Sequence, residues 1–329
     1  MLITYSKNIF IPVTDACINS CAYCGFKSNK PRIMSMRTIN SLICTAKKMG
    51  CKEALFTYGE KPESNTFILK QLNKWGYSSS LEYLYDLCRL SLKHGVLPHS
   101  NPGVLNLEEL KTIKEVNASL GLMLENSSTR FHLEGMPHYN CPSKKPKVRL
   151  KTLQNAGKLK IPYTTGLLIG IGESMVEIED SLKEIAKVHS KYNNIQEIII
   201  QNFRPKKGTP MEKFPTPTTY KMICTLKMAR NIFPKVGIQI PPNLNPHTWS
   251  IYTLFGMDDL GGISPVTTDY INPTDNWPDI SNLKRILTNL NFQLKERLPI
   301  YPEFINKGWF SDELEDLIFN YVNKDGLVK

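Results

Sequence analysis

Thr14 to Phe26 reads Thr-Asp-Ala-Cys-Ile-Asn-Ser-Cys-Ala-Tyr-Cys-Gly-Phe and follows at once on the apolar run Ile9–Val13. Three of the chain's 8 cysteines, Cys17, Cys21 and Cys24, therefore share one short loop behind a buried strand. Thiolate is a soft ligand suited to iron–sulfur clusters, zinc and copper, and three thiolates on a tight loop can hold three corners of a cubic cluster. No further cysteine stands at a matching spacing for the fourth corner. Open coordination separates catalytic from structural metal sites, so a cluster open at one iron is a reaction site. The competing readings are a zinc knuckle or three unrelated buried thiols. A four-thiolate zinc site needs a second Cys-x2-Cys or a Cys/His pair downstream. Cys44, Cys51, Cys88, Cys141 and Cys224 all stand singly.

The rest of the chain must carry this loop on a sizeable core. At 329 residues it can form one large barrel or two ordinary domains, and its 41% apolar content suffices for either. Met1 to Lys7 lacks a long apolar core, and no later stretch approaches the roughly 18 apolar residues of a membrane span. The expectation is a soluble, cytoplasmic protein without membrane contact, whose thiols serve metals or cores rather than disulfides. The net charge of +11 raises the question of a nucleic-acid partner. The lysines are spread along the chain, however, and the densest cluster, Lys144 to Arg149, is short and carries no interleaved aromatics. An anionic substrate, a partner surface or solubility accounts for the charge better than RNA does.

Short β-rich runs alternate with helical patterns. The runs are Ile9–Val13, Ala54–Thr57, Val96–Pro98, Leu120–Leu124, Tyr163–Ile169, Ile195–Ile200 and Val236–Ile240, with a weaker one at Leu260–Ile263. Helical periodicity covers Thr38–Met49, Leu81–Leu92, Leu107–Val116, Arg149–Ala156, Met175–Val188 and Thr219–Ile232. Such alternation means a parallel sheet. Nearly every run is followed at once by residues with chemical potential, among them Tyr58-Gly59-Glu60, His99-Ser100-Asn101 and Glu125-Asn126-Ser127. An open sheet concentrates function at one switch point, whereas a barrel gathers all its strand ends at one mouth. The expected architecture is an α/β parallel (βα) barrel of the TIM type, with six strands and closure to eight. It should occupy residues 1–270, with 271–329 as a C-terminal extension packed on it. Gly170-Ile171-Gly172 is not a dinucleotide fingerprint, because position 175 is Met rather than Gly. The histidines form no metal cluster. His99 and His247 lie at expected strand ends, whereas His132 and His138 are expected in an exposed loop.

The Cys-x3-Cys-x2-Cys spacing, with Tyr23 just before the last cysteine, resembles the signature of the radical S-adenosylmethionine (SAM) superfamily. That resemblance implies one [4Fe–4S] cluster on Cys17, Cys21 and Cys24, with SAM chelated by the open iron and cleaved to a 5′-deoxyadenosyl radical. It implies partial six-fold or complete eight-fold barrels as well. Gly59-Glu60 matches the last two positions of the Gly-Gly-Glu-like element that meets the SAM amino group, although Tyr58 departs from the usual small residue. The subgroup related to biotin synthase has a Glu on strand four and an Arg on the following helix, which carries over to Glu125 for the ribose hydroxyls and Arg149 for the SAM carboxylate. Gly170 would let adenine lie against backbone at the end of strand five, and Tyr23, Ser100 and Asn101 are further expected cofactor contacts.

A narrower resemblance comes from Gly256-Met257-Asp258-Asp259-Leu260-Gly261-Gly262-Ile263-Ser264-Pro265-Val266-Thr267-Thr268-Asp269-Tyr270-Ile271-Asn272-Pro273, with Trp277-Pro278 beyond it. These residues, together with Phe56–Glu60, Pro98–Gly103 and Gly166–Glu173, are similar to the CofG family, the first radical SAM subunit of FO synthase. The resemblance implies oxidation and cyclisation, with ammonia loss, of a tyrosine–ribitylaminouracil adduct to 7,8-didemethyl-8-hydroxy-5-deazariboflavin. It implies as partners the second radical SAM subunit, CofH, and an electron donor such as ferredoxin or flavodoxin. Asp259, Ser264 and His99 are the candidate catalytic or substrate-reading residues, and Thr267 joins them as a short polar group on the last strand end. Two alternatives stay open: another radical SAM enzyme, such as a menaquinone-pathway or RNA-modifying relative, and a non-enzymatic iron–sulfur or zinc nucleic-acid module.

Overall fold

The structure, a computed structural model, describes residues 2–329. In chain order it runs β1 (Leu2–Thr14), α1 (Met36–Lys48), β2 (Glu53–Tyr58), α2 (Thr66–Lys74), α3 (Ser80–Lys93), β3 (Leu97–Asn101), α4 (Leu107–Lys114), β4 (Ser119–Gly121), α5 (Pro146–Lys158) and β5 (Tyr163–Ile169). It continues through α6 (Met175–Tyr192), β6 (Ile195–Asn202), α7 (Thr219–Ile232), β7 (Gly237–Gln239), the short α8 (Trp249–Tyr252), β8 (Asp259–Ile263), α9 (Ile280–Asn289), β9 (Gln293–Glu296), α10 (Pro302–Asn306) and α11 (Asp312–Tyr321). The strands pair in the order β2-β3-β4-β5-β6-β7-β8-β1, and β1 also pairs with β2, so eight parallel strands close into a barrel. β1 is long enough to serve three neighbours. Its first residues, Leu2–Tyr5, pair with β9, Thr4–Lys7 with β8, and Asn8–Thr14 with β2.

Alternation along the strands explains why this barrel has an interior. In β2, Ala54 and Phe56 face the surrounding helices with no exposure, whereas Glu53, Leu55 and Thr57 line a cavity inside the barrel. In β6, Ile198 and Ile200 belong to the outer core while Glu197, Ile199 and Gln201 line the cavity. The apolar side of each strand meets the inner faces of the helices, such as Ile39 and Ile43 of α1 or Ile178 and Leu182 of α6. Barrels of this class ordinarily fill the interior with branched apolar layers; here polar side chains and glycines interrupt those layers, and Leu55, Leu122, Ile199 and Leu260 remain of them. Local caps set the helix starts: Ser35, Asn65, Ser79, Thr218 and Asp279 each accept a hydrogen bond from a first-turn amide, and Asn106 and Ser174 form capping boxes with Glu109 and Glu177.

The segment from β9 onward closes the opposite end. β9 extends the sheet beside β1, and α10 and α11 pack Phe304, Ile305, Leu314 and Ile318 against Leu97 and Ala118 of the barrel. Arg297, directly after β9, enters from below and binds Asp259 bidentately, Nε to Oδ2 at 2.6 Å and Nη2 to Oδ1 at 2.9 Å. Its Nη2 also donates to Glu197 at 3.0 Å, which in turn accepts from the Tyr301 hydroxyl at 3.0 Å. The eight strand positions agree with the sequence expectation, but α2, β9 and the four helices α8 to α11 were not foreseen.

Candidate functional site

One cavity of about 370 Å³ runs from the C-terminal ends of the strands down the barrel axis. Cys17, Cys21 and Cys24 all line it, on the loop that leaves β1. The loop is held tightly. Cys24 N donates to Cys21 O at 3.0 Å, Ala22 N to Pro137 O at 2.9 Å, and Ile18 N to Glu60 O at 3.0 Å. Glu60 N donates to Cys17 Sγ at 3.2 Å, a contact that favours charged sulfur. The end of β2 can come this close because residue 59 is glycine: a Cβ there would stand 2.1 Å from Ala16 O and 2.5 Å from Cys17 Cβ. Gly59 is thus a packing requirement of the cysteine loop.

Glu60 and Arg149 meet in the same wall of the cavity. Arg149 Nη2 lies 3.4 Å from Glu60 Oε2, and both side chains are almost wholly buried. The remaining valences are directed by backbone: Val104 N donates to Glu60 Oε1 at 2.6 Å, and Arg149 donates to Met123 O and Ser143 O at 2.5 and 3.1 Å. A buried pair with one long contact and otherwise fixed geometry presents one anion and one cation side by side. Glu125 lies close by and is unusual in its backbone, with φ of +67°, a left-handed conformation that costs a non-glycine residue energy and gathers at functional sites. Its carboxylate accepts from Lys144 Nζ at 2.5 Å. Tyr23 packs into the wall below Lys144, with its hydroxyl 3.0 Å from His138 Nε2.

Several expected residues stand elsewhere. Ser100 faces outward, fully buried, and donates to Asn117 Oδ1 at 2.6 Å, whereas its neighbour Asn101 lines the cavity. Strand alternation allows only one of two successive residues to face inward. Gly170 has φ of +102° and serves the turn after β5, where a Cβ would stand 2.7 Å from Pro217; Leu168, not Gly170, reaches the cavity. Asp259 is 0% exposed and is held by Arg297 and the Thr4 hydroxyl, so it is a strut beneath the barrel. Ser264 and Thr267 hydrogen-bond each other at 3.0 Å, and Thr267 accepts from Phe10 N. The loop that they begin nevertheless reaches the site through other residues, for Asp269, Asn272 and Trp277 line the cavity. His99 lines it too, held by Ser119 at 2.6 Å, and burial shifts it toward the neutral form. His247 is exposed, and His138 is buried rather than loop-exposed.

Sequence reasoning placed Asn243 at a strand end and missed Lys206 and Lys144. Lys206 lies over Gly25, where a Cβ would stand 2.8 Å from Lys206 Cδ and push the lysine side chain aside. Burial pushes its ammonium pKa down. Asn243 Nδ2 donates to Asp269 Oδ2 at 2.9 Å, while its Oδ1 and Trp277 Nε1 are buried without partners. Cys141 is a further surprise: its sulfur lies 3.5 Å from Cys21 Sγ, although the residue does not line the cavity.

The residues fit an iron–sulfur cluster and an amino-acid-bearing nucleoside. Among the described residues no group of His, Cys, Asp or Glu converges as ligands of one ion would; in a cubane each thiolate binds its own iron. Burial raises the Cys17 thiol, so bare thiolates here are costly and iron would supply the compensating charge.

Comparison with known proteins agrees with this geometry. The radical SAM superfamily description matches residues 11–185. The chain is 48% identical over 328 residues to a 7,8-didemethyl-8-hydroxy-5-deazariboflavin synthase of Methanocaldococcus jannaschii, covering 99% of this chain and 90% of that one. Enzymes of the same name from Methanosarcina barkeri and Methanopyrus kandleri are 49% and 44% identical, each over 99% or more of both chains. Among solved structures, the [FeFe]-hydrogenase maturase HydG of Carboxydothermus hydrogenoformans superposes with a TM-score of 0.73 at 16% identity, covering 99% of this chain and 76% of that one. Methylornithine synthase does so with 0.70 at 18%, covering 94% and 86%. At such identities these two likenesses speak for the fold alone.

Proposed function

The chain belongs to the radical SAM superfamily and, within it, to the 7,8-didemethyl-8-hydroxy-5-deazariboflavin synthases of deazaflavin biosynthesis; from that membership we propose how its own residues divide the work. Cys17, Cys21 and Cys24 hold one [4Fe–4S] cluster and leave its fourth iron open. When bound, cluster and SAM together supply a 5′-deoxyadenosyl radical. Glu60 meets the SAM ammonium and Arg149 its carboxylate, since a zwitterion offers the charge pattern complementary to that buried pair. Glu125, an acceptor-only carboxylate in a forced backbone conformation, receives the ribose hydroxyls, and Tyr23 and Asn101 border the nucleoside. Ser100, Gly170, Asp259 and Ser264 act through structure rather than contact. Residues 293–329 serve as the barrel's floor, while Asn272 and Trp277 border the cavity.

The substrate in this reading is the tyrosine–ribitylaminouracil adduct made by a second radical SAM subunit, CofH, and the electron comes from a ferredoxin or flavodoxin. The cavity oxidises and cyclises the adduct with loss of ammonia. The observation that carries the reading is the convergence of three thiols, a buried Glu–Arg pair and a partly polar shaft in one cavity of a chain nearly half identical to named synthases along its length. Anaerobic incubation of the reconstituted protein with SAM, a reductant and the adduct, followed by mass spectrometry, tests it. Deazaflavin, methionine and 5′-deoxyadenosine are expected to appear together. Steady 5′-deoxyadenosine formation with the adduct left intact would overturn the substrate assignment.

A further inference from the structure

Cluster and SAM account for the mouth of the cavity and leave its lower half unexplained. Asn8 of β1 stands six residues before Thr14, roughly 20 Å down the strand at about 3.3 Å per residue. It lines the lower cavity with Glu53, His99 and Gln239, polar groups set among the apolar Leu55, Ile199 and Leu260. Asn8 is 1% exposed, yet its Oδ1 has no hydrogen-bond partner; a buried acceptor left unsatisfied is unfavourable unless a ligand completes it. Glycines make room for the amides around it. A Cβ on Gly262 would stand 2.1 Å from Asn8 Nδ2, one on Gly261 2.1 Å from Gln239 Nε2, and one on Gly121 2.1 Å from Asn101 Oδ1. Glycines at three amide positions, two of them beside Asn8 and Gln239, leave room for donors and acceptors in a wall that is apolar elsewhere.

We propose that this part of the cavity seats the ribityl chain of the substrate, and that Asn8 and Gln239 select for its hydroxyls. The inference rests on the deazaflavin reading above. Cyclisation joins the phenol-derived and uracil-derived parts, so both rings lie at the mouth beside SAM. The ribityl chain passes unchanged into the product and must extend away from the reacting atoms, and the open direction is downward. Each hydroxyl both donates and accepts, which suits primary amides better than a phenol edge would. The partnerless Asn8 Oδ1 accepts a hydrogen bond from one of these hydroxyls.

The test is equilibrium dialysis of the cluster-loaded, SAM-bound protein against the adduct and against an analogue bearing an unsubstituted pentyl chain in place of ribityl. Each hydroxyl–amide hydrogen bond is worth about tenfold in affinity, so the wild type should prefer the ribityl adduct on the order of a hundredfold. Asn8→Leu and Gln239→Met should each cut that preference about tenfold, with SAM affinity as the internal control. Iron content checks folding; if Asn8→Leu loads poorly, Gln239→Met alone decides. A wild-type preference near one, or a preference that survives in the well-loaded variants, overturns the proposal while leaving deazaflavin formation in place. If neither compound binds and no deazaflavin forms, the functional reading itself fails and this inference with it.

Discussion

At the residue scale, the chemistry is concentrated in side chains whose partners are few and nameable. Alanine at Cys17, Cys21 or Cys24 is expected to abolish iron–sulfur content and SAM cleavage together, whereas Cys224→Ala should leave both. Cys141 is the sharper case, because its sulfur lies 3.5 Å from that of Cys21. Cys141→Ala should retain the cluster, as read by iron and sulfide analysis; loss of the cluster would make Cys141 a ligand. Charge-assisted contacts contribute roughly 1.5–3 kcal/mol, so alanine at Glu60, Glu125 or Arg149 should weaken SAM binding by about tenfold to a hundredfold. Unchanged affinity in all three would reject their roles. The cysteines, Gly59-Glu60 and Asn243 were legible in the sequence because spacing and strand-end position are local properties, and Arg149 came from the family resemblance. Lys206 was not legible, since only barrel closure brings it to the cysteine loop. Asp259 was misread because the group that determines its role, Arg297, lies far along the chain.

At the scale of elements, β8 and the residues after β9 form one device. The Arg297–Asp259–Glu197 cluster is buried and hydrogen-bonded throughout, and breaking such a pair by removing one partner typically costs about 3–5 kcal/mol. Asp259→Ala is therefore expected to lower the thermal midpoint and cluster loading together. Ser264→Ala loses the turn acceptor of two amides, Val266 N and Thr267 N, and should cost on the order of 1 kcal/mol for each, with deazaflavin formation preserved. A well-loaded, normally stable Asp259→Ala enzyme that makes no deazaflavin would restore the substrate-reading role instead. The strands were legible because apolar runs at regular spacing mark them whatever their partners. β9 was not, because Gln293–Glu296 is polar and becomes a strand only by pairing with the start of β1. α2 was missed although α4, one residue shorter, was expected from its periodicity.

At the scale of the whole molecule, the closed barrel converts eight separate strand ends into one mouth, and β9 with the helices after it seals the far end. Closure to eight follows from β1 bonding to both β2 and β8. The strand-end residues pointed to it, but the partly polar interior was less legible: alternation inside a parallel strand can mean solvent, a partner or a shaft, and only the closed sheet decides. The central claim is that Cys17, Cys21 and Cys24 hold a cluster whose open iron takes SAM within this cavity. The most direct measurement is electron–nuclear double resonance on the reduced, reconstituted protein with SAM labelled with 15N at its amino group and 17O in its carboxylate. The account predicts hyperfine coupling of both labels to the cluster, weakened or lost in Arg149→Ala. A reduced cluster that shows neither coupling in the wild-type protein at saturating SAM would contradict it.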